Sequence, residues 1–308
     1  MAWDAPPAPP QHPPLKQLFL AGALFVATLI FTLAAGAQFA AAYSLDRALS
    51  VDEFVRSLKL IFVNPLALRH GLPFALTLLA ILLAHELGHW FACRHHHIRS
   101  SYPLFIPFPS LIGTLGAFIL IRSPIRKRRA LFDVGASGPI VGFCFALPAL
   151  AWGVLHAKDV PGLAAKSDLV FGAPAALQLF ASILRPGVPV GDLLLHPIGR
   201  AAWAGLFATA LNLLPAGQLD GGHILRSVSE RWHRWLTLAL PFAIAPLGYF
   251  LHWPTWYLWA GLLLLFRFFR PAPLLSDAQS LDGARLATAV VPLLIFLLCF
   301  MPAPIREP

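Results

Sequence analysis

Two histidines and a glutamate near the end of one apolar run are the residues of this sequence best placed to do chemistry. In ILLAHELGHWFACRHHH, His85 and His89 stand four apart, which puts both imidazoles on one face of a helix, one turn from each other. Two neutral imidazole nitrogens so placed can share a zinc ion, and Glu86, next to the first, can take a proton from the attacking water. A carboxylate inside a transmembrane helix costs roughly 2–3 kcal/mol on insertion scales, so an ionisable residue at that depth points to function. Of the glutamates at 53, 86, 230 and 307, only Glu86 lies within an apolar run. The rival reading, three polar residues at a helix end facing a loop or a neighbour, leaves that cost unexplained.

A hydrolytic zinc centre takes three protein ligands and keeps a fourth position open. Cys93 lies on the same helix face, but three ligands on one straight helix would extend about 12 Å along its axis; Cys93 therefore reads as a packed thiol. Asp220 is the better third ligand. In ATALNLLPAGQLDGGHIL an apolar run is interrupted by Asn212, Pro215 and Gly217, and Pro215 with Gly217, Gly221 and Gly222 would unwind the helix at the depth of the histidines, letting the carboxylate approach.

The elements that must position these groups are membrane helices. With 58% hydrophobic and 12% charged residues and a mean hydropathy of +0.70, the 308-residue chain is outside the range of soluble globular domains. Apolar runs long enough for about 30 Å of hydrocarbon recur near 17–42, 71–93, 131–156, 199–215, 235–252, 255–269 and 287–303. The expected fold is an all-α polytopic membrane protein of about six to seven transmembrane helices, with a small membrane-embedded β-hairpin near 102–121. The first run reads as an anchor, since the residues before it are Pro-rich without a basic start.

Placing the N-terminus in the cytoplasm gathers most Lys and Arg on the inner side, including the cluster Arg126, Lys127, Arg128 and Arg129. The net charge of +9 is explained by anionic lipid beside the spans; no nucleic-acid partner is implied. Cys93, Cys144 and Cys299 all lie in or beside apolar runs, so no disulfide framework is implied.

Residues 1–16 form a Pro-rich tail expected to be disordered. Residues 43–70 read either as a short amphipathic helix on the membrane surface or as a connecting loop. YPLFIPFPSLIGTLGAFILI, residues 102–121, is apolar yet broken by proline, with Gly113 and Gly116 suited to turns; it reads as a hairpin whose open edge could pair with an extended peptide. The stretch 157–197 reads as a far-side loop. The expected divisions are 1–16 tail, 17–70 anchor helix and connecting segment, 71–226 catalytic membrane core and 227–308 C-terminal transmembrane helices.

On two separated motifs the sequence resembles the site-2 protease family of intramembrane zinc metalloproteases, in its compact form without a PDZ domain. His85-Glu86-Leu87-Gly88-His89 matches the family's zinc-binding signature, and Asn212 to Gly222 (NLLPAGQLDGG) its second motif. Gly113-Thr114-Leu115-Gly116 resembles the glycine-bearing hairpin, and Asp133 to Pro139 (DVGASGP) also looks like family sequence. The resemblance implies one Zn2+ held by His85, His89 and Asp220, with Glu86 as general base and Asn212 holding the substrate backbone or the developing oxyanion. Gly113, Thr114 and Gly116 would bind the substrate. It implies a transmembrane protein substrate and a lipid bilayer as surroundings; the Lys and Arg distribution places both motifs toward the cytoplasm, so cleavage is expected near that leaflet, as in regulated intramembrane proteolysis.

The expected location is a bacterial inner (cytoplasmic) membrane. His95, His96, His97 and His223 could line a water path to the metal, although RHHHIR also fits a solvated basic loop. Three rival readings fit parts of the same sequence. Other membrane proteases with HExxH take a later glutamate as third ligand, and neither Glu230 nor Glu307 lies in a span. A membrane metal transporter would need several exchangeable sites. A non-proteolytic protein that binds membrane segments would not need every catalytic position intact.

Overall fold

The computed structural model describes residues 15–266, 274 and 281–306. Residues 1–14 of the expected tail and residues 267–269 of one expected span lie outside them. Among the described residues the chain is mostly helical, with three two-stranded sheets. In order come α1 (Leu15–Ser44), α2 (Val51–Val63), α3 (Leu72–His95), β1 (Leu104–Pro107), β2 (Thr114–Phe118), α4 (Arg128–Leu155), β3 (Lys158–Asp159), β4 (Val170–Phe171), α5 (Ala175–Leu184), β5 (Leu193–Leu194) and α6 (Pro197–Asn212). Then follow α7 (Asp220–Val228), α8 (Glu230–Phe250), α9 (Thr255–Phe266), α10 (Gly283–Thr288), α11 (Val290–Cys299) and β6 (Ile305–Arg306).

Among the described residues, three helical segments are long and apolar enough to cross a membrane: Leu15–Ser44, Pro65–His95, which joins a 3-10 turn to α3, and Arg128–Leu155. Within those residues, α6 and the 287–303 run fall short by length or continuity, and α8 by its polar opening. Helix α6 has 16 residues, about 24 Å at 1.5 Å per residue, and ends where Asn212 precedes the Pro- and Gly-bearing loop. Its apolarity serves the protein interior: Ala201, Ala202, Trp203, Ala204 and Leu206 are all buried, so successive residues around the helix meet protein. The 287–303 run is divided between α10 and α11, with Pro292 in the first turn of the second. Helix α8 contains Pro241 and Pro246 and opens with polar residues.

The core is built where α1, α3, α4 and α6 meet, around Phe39, Phe74, Leu78, Phe143, Leu150, Trp203 and Leu206. A second cluster under α8 and α9 centres on Trp253, Trp256 and Leu263. Residues 43–70 carry helix α2, capped by Ser50, whose side chain accepts from the Glu53 N–H at 3.2 Å; of the two readings the helix is the one that forms.

The 102–121 stretch forms a hairpin. Leu104 faces Phe118 and Pro107 faces Thr114, with an irregular register between Phe105 and Pro107. It rests on α1, where the Phe25 and Phe105 rings meet edge-on at 5.2 Å. Gly113 has φ 78°, and a Cβ there would lie 2.5 Å from the Phe31 carbonyl of α1.

The expected far-side loop at 157–197 is folded instead. It contains α5, β3 pairs with β5, and β4 pairs with β6 near the end of the described chain. Its Gly, Pro and Asp residues punctuate short elements, and burial of Leu177, Leu193 and Leu195 in the main core holds them down.

Candidate metal centre

The two imidazoles lie where the helical spacing puts them. His85 and His89 are one turn apart on α3, both buried, with ring centroids 4.8 Å apart. Asp220 reaches them from the first residue of α7. Asn212 ends α6, residues 213–219 run without regular helix, and α7 restarts on top of that loop. Gly221 and Gly222 permit the restart: a Cβ on the first would lie 2.1 Å from the Leu213 carbonyl oxygen, and on the second 2.6 Å from that of Ala216.

The three side chains close into a triangle. His85 Nε2 lies 3.1 Å from Asp220 Oδ2, His89 Nε2 3.3 Å from Asp220 Oδ1, and the two Nε2 atoms are 3.1 Å apart. A tetrahedral zinc ion, with ligands at 2.0–2.1 Å, sets its ligand atoms about 3.3 Å from one another. The donor set fits the ion in type and spacing. Among the described residues this is the only group of three with metal-ligand character.

A further contact fixes the tautomer that a ligand needs. His89 Nδ1 lies 2.6 Å from the Val134 carbonyl of α4, so Nδ1 carries the hydrogen and donates it, and Nε2 keeps its lone pair toward the triangle. Close packing makes this possible. Gly138 lies against the His89 ring, where a Cβ would come within 2.1 Å of Nε2, and Gly142 lies against His85. These α4 residues were not singled out as site residues in the sequence. Their signal was the small-residue spacing of Gly135, Gly138 and Gly142, which marks close helix approach in membranes.

Around the triangle is a cavity of about 200 Å3, lined by Glu86, Phe118, Ile119, Asn212, His223 and Gln218 among others. Glu86 is buried and faces the backbone of Ile119, just beyond β2. The Asn212 amide nitrogen is 3.4 Å from His85 Nε2. The expected catalytic and metal residues thus share one cavity. The hairpin contributes Ala117, Phe118, Ile119 and Ile121 to it, whereas Gly113, Thr114 and Gly116 do not line it. Thr114 is buried inside the hairpin, its hydroxyl 2.8 Å from the Ile106 carbonyl and accepting from the Gly116 N–H at 3.0 Å.

Cys93 packs among Ile125, Ala130, Leu131 and Val134, away from the triangle. Of the four histidines expected to line a water path, only His223 lines the cavity. His95 and His97 are exposed at the end of α3, and His96 Nε2 pairs with Asp133 Oδ2 at 2.7 Å. Asp133 also receives a two-pronged contact from Arg285 of α10, Nε to Oδ1 at 2.8 Å and Nη2 to Oδ2 at 2.7 Å. The ends of α3, α4 and α10 are tied together there, one residue before Val134.

With this site in view, the chain belongs to peptidase family M50, whose model matches residues 73–241. It is similar to "Probable zinc metalloprotease EGY1, chloroplastic" of Oryza sativa subsp. japonica, 30% identical over 75% of this chain and 41% of the relative. It is also similar to "Probable zinc metalloprotease EGY2, chloroplastic" of Arabidopsis thaliana, 32% identical over 79% of this chain and 44% of the relative. The chain spans less than half the length of these relatives. Both are named chloroplastic, and they lend no support to the bacterial inner membrane expected from the sequence. No solved structure matches.

Proposed function

We propose that this chain is an integral membrane zinc metalloendopeptidase that hydrolyses peptide bonds of transmembrane protein substrates near the cytoplasmic leaflet. The observation that carries the reading is the convergence of His85, His89 and Asp220 on one cavity with the buried Glu86. The family match and the names of the relatives agree with it.

His85, His89 and Asp220 would hold the ion, which when bound supplies Lewis acidity toward the scissile carbonyl and the attacking water. Glu86 takes the proton of that water and delivers it to the leaving amine. Burial and the neighbouring Ile119 backbone hold its carboxylate at the cavity wall. The Asn212 amide donates to the oxygen of the bond being cut or to the adjoining substrate backbone. A substrate helix hides its carbonyls in hydrogen bonds and must be drawn out before cleavage. In this reading the hairpin lies at membrane depth, and the end of β2 with the chain that follows it, from Ala117 to Ile121, offers an edge for the extended segment.

The same reading takes α8, α9 and the α10–α11 pair as further spans, with α6 as a seventh, for about six to seven in all, with residues 71–226 as the catalytic core and the N-terminus in the cytoplasm. His89 then lies toward the cytoplasmic end of its helix, and cleavage releases a cytoplasmic fragment. The reading is tested with purified protein and a tagged transmembrane substrate. Cleavage that stops on chelation, returns with Zn2+ and is lost in Glu86→Gln supports it; cleavage by Glu86→Gln at the wild-type rate refutes it.

A further inference from the structure

Asp220 is the ligand whose place is set by a loop. His85 and His89 are held one turn apart by α3, whereas Asp220 opens α7 directly after residues 213–219, which run without regular helix. Pro215 has no N–H to give. Two bonds of this stretch stay inside it: the Ala216 N–H donates to the Leu214 carbonyl at 2.8 Å, and the Leu219 N–H to the Ala216 carbonyl at 3.4 Å. Neither ties the loop to another element.

Helix α8 supplies such a tie. The Gly217 N–H donates to Thr237 Oγ1 at 3.0 Å, and the Gly217 carbonyl lies 3.0 Å from His233 Nε2. A carbonyl only accepts, so that ring nitrogen carries the hydrogen. His233 and Thr237 stand four apart on α8, which puts them on one face, one turn from each other. His233 is buried and Thr237 half-buried. Gly217 has φ 59°, a left-handed conformation that glycine adopts at no steric cost, and in it both backbone polar groups of the residue meet α8. Gly222 of α7 leaves the room, since a Cβ there would lie 2.6 Å from the Gly217 carbonyl oxygen. A metal site tolerates about 0.2 Å in its ligand distances, so the groups that fix this loop bear on the ligand three residues further on.

We infer that His233 and Thr237 are positioning residues of the metal centre: by gripping both polar groups of Gly217 they hold the Asp220 carboxylate against His85 and His89. The inference rests on the metalloprotease reading above and adds that a helix outside the ligand set, and outside residues 71–226, sets the metal affinity.

The test titrates the full metal-free chain in detergent micelles with Co2+, whose visible absorption reports the ligand set, and takes the affinity from chelator competition. His233→Ala and Thr237→Val should each weaken Co2+ binding about 10-fold and alter the spectrum. His233→Gln keeps an N–H donor and Thr237→Ser keeps the hydroxyl, so both should stay near the wild type. Leu150→Ala, at a fully buried position toward the other end of α4, should lower Tm and leave affinity and spectrum unchanged. Wild-type affinity and spectrum in His233→Ala and Thr237→Val overturn the inference. A loss in Leu150→Ala as large as theirs also overturns it, because affinity would then follow stability alone. If His233→Ala does not fold, the two variants of half-buried Thr237 decide by the same criteria. Absence of Co2+ binding in the wild type, or undiminished binding in Asp220→Ala, overturns the metal reading and the inference together. Binding that is lost in Asp220→Ala yet equal in the wild type and both α8 variants overturns the inference alone.

Discussion

Gly138→Ala should damage the metal centre from outside the ligand set. The added Cβ would lie 2.1 Å from His89 Nε2 and 2.4 Å from Cε1, against a comfortable separation of about 3.5 Å. Relief requires the ring or helix α4 to give by about 1.4 Å, while a metal site tolerates about 0.2 Å in its ligand distances. The same movement strains the bond from His89 Nδ1 to the Val134 carbonyl. Overpacking of this kind costs about 1–3 kcal/mol, which placed on metal binding is a loss of roughly 5- to 150-fold in affinity. Gly142→Ala meets His85 Cβ at 3.0 Å and Nδ1 at 3.1 Å, a matter of a few tenths of an ångström, and should lose under about 5-fold. Gly22→Ala meets nothing within 4 Å and should leave affinity unchanged. Zinc affinity by chelator competition, with helical content followed by circular dichroism, reads the series. A folded Gly138→Ala protein that binds zinc as tightly as the wild type would refute the packing argument.

Three further outcomes follow from other contacts. Arg285→Ala removes the two-pronged contact with Asp133 and should destabilise by about 1–2 kcal/mol; in a thermal double-mutant cycle its effect and that of Asp133→Ala should fall well short of additive. Asn212→Ala should bind zinc normally yet turn over about 100-fold more slowly, and an unchanged rate in a single-turnover assay would remove Asn212 from the chemistry. Burial, with the nearby His156, holds the His196 imidazole below its ordinary pKa, and its Nδ1 accepts from the Ile198 N–H at 3.2 Å. The unfolded chain therefore binds the proton more readily, and the stability His196 contributes is present above about pH 6.5 and lost as pH falls below it. His196→Asn should show a smaller drop in Tm between pH 7.5 and 5.5 than the wild type.

The parts of the site legible in the sequence are those whose meaning is local. A four-residue spacing in an apolar run decides that His85 and His89 share a helix face, and Pro215 with the glycines decides that the chain unwinds before Asp220. What was not legible depends on which helix packs against which. That Val134 offers its carbonyl to His89, or that Arg285 reaches Asp133 across 152 positions, follows only from the packing of α4 between α3 and α7. The hairpin was visible in its prolines and glycines, but Gly113 lies against α1 and Thr114 bonds within the hairpin, while Phe118 and Ile119 reach the cavity. Helix α6 is apolar on all sides because it is buried on all sides, and a pattern of that kind does not by itself separate a helix facing lipid from one in the protein interior. The folding of residues 157–197 is not legible in the sequence because the short elements there are held by contacts with β6 and the core rather than by local periodicity.

The central claim is that His85, His89 and Asp220 hold the metal while Glu86 moves the proton. Its most direct test is metal content and proteolysis measured side by side for wild type, Glu86→Gln and Asp220→Ala on a transmembrane substrate. The account predicts one zinc and cleavage in the wild type, zinc without cleavage in Glu86→Gln, and loss of both in Asp220→Ala. Normal cleavage by Glu86→Gln, or full zinc occupancy without Asp220, would contradict it.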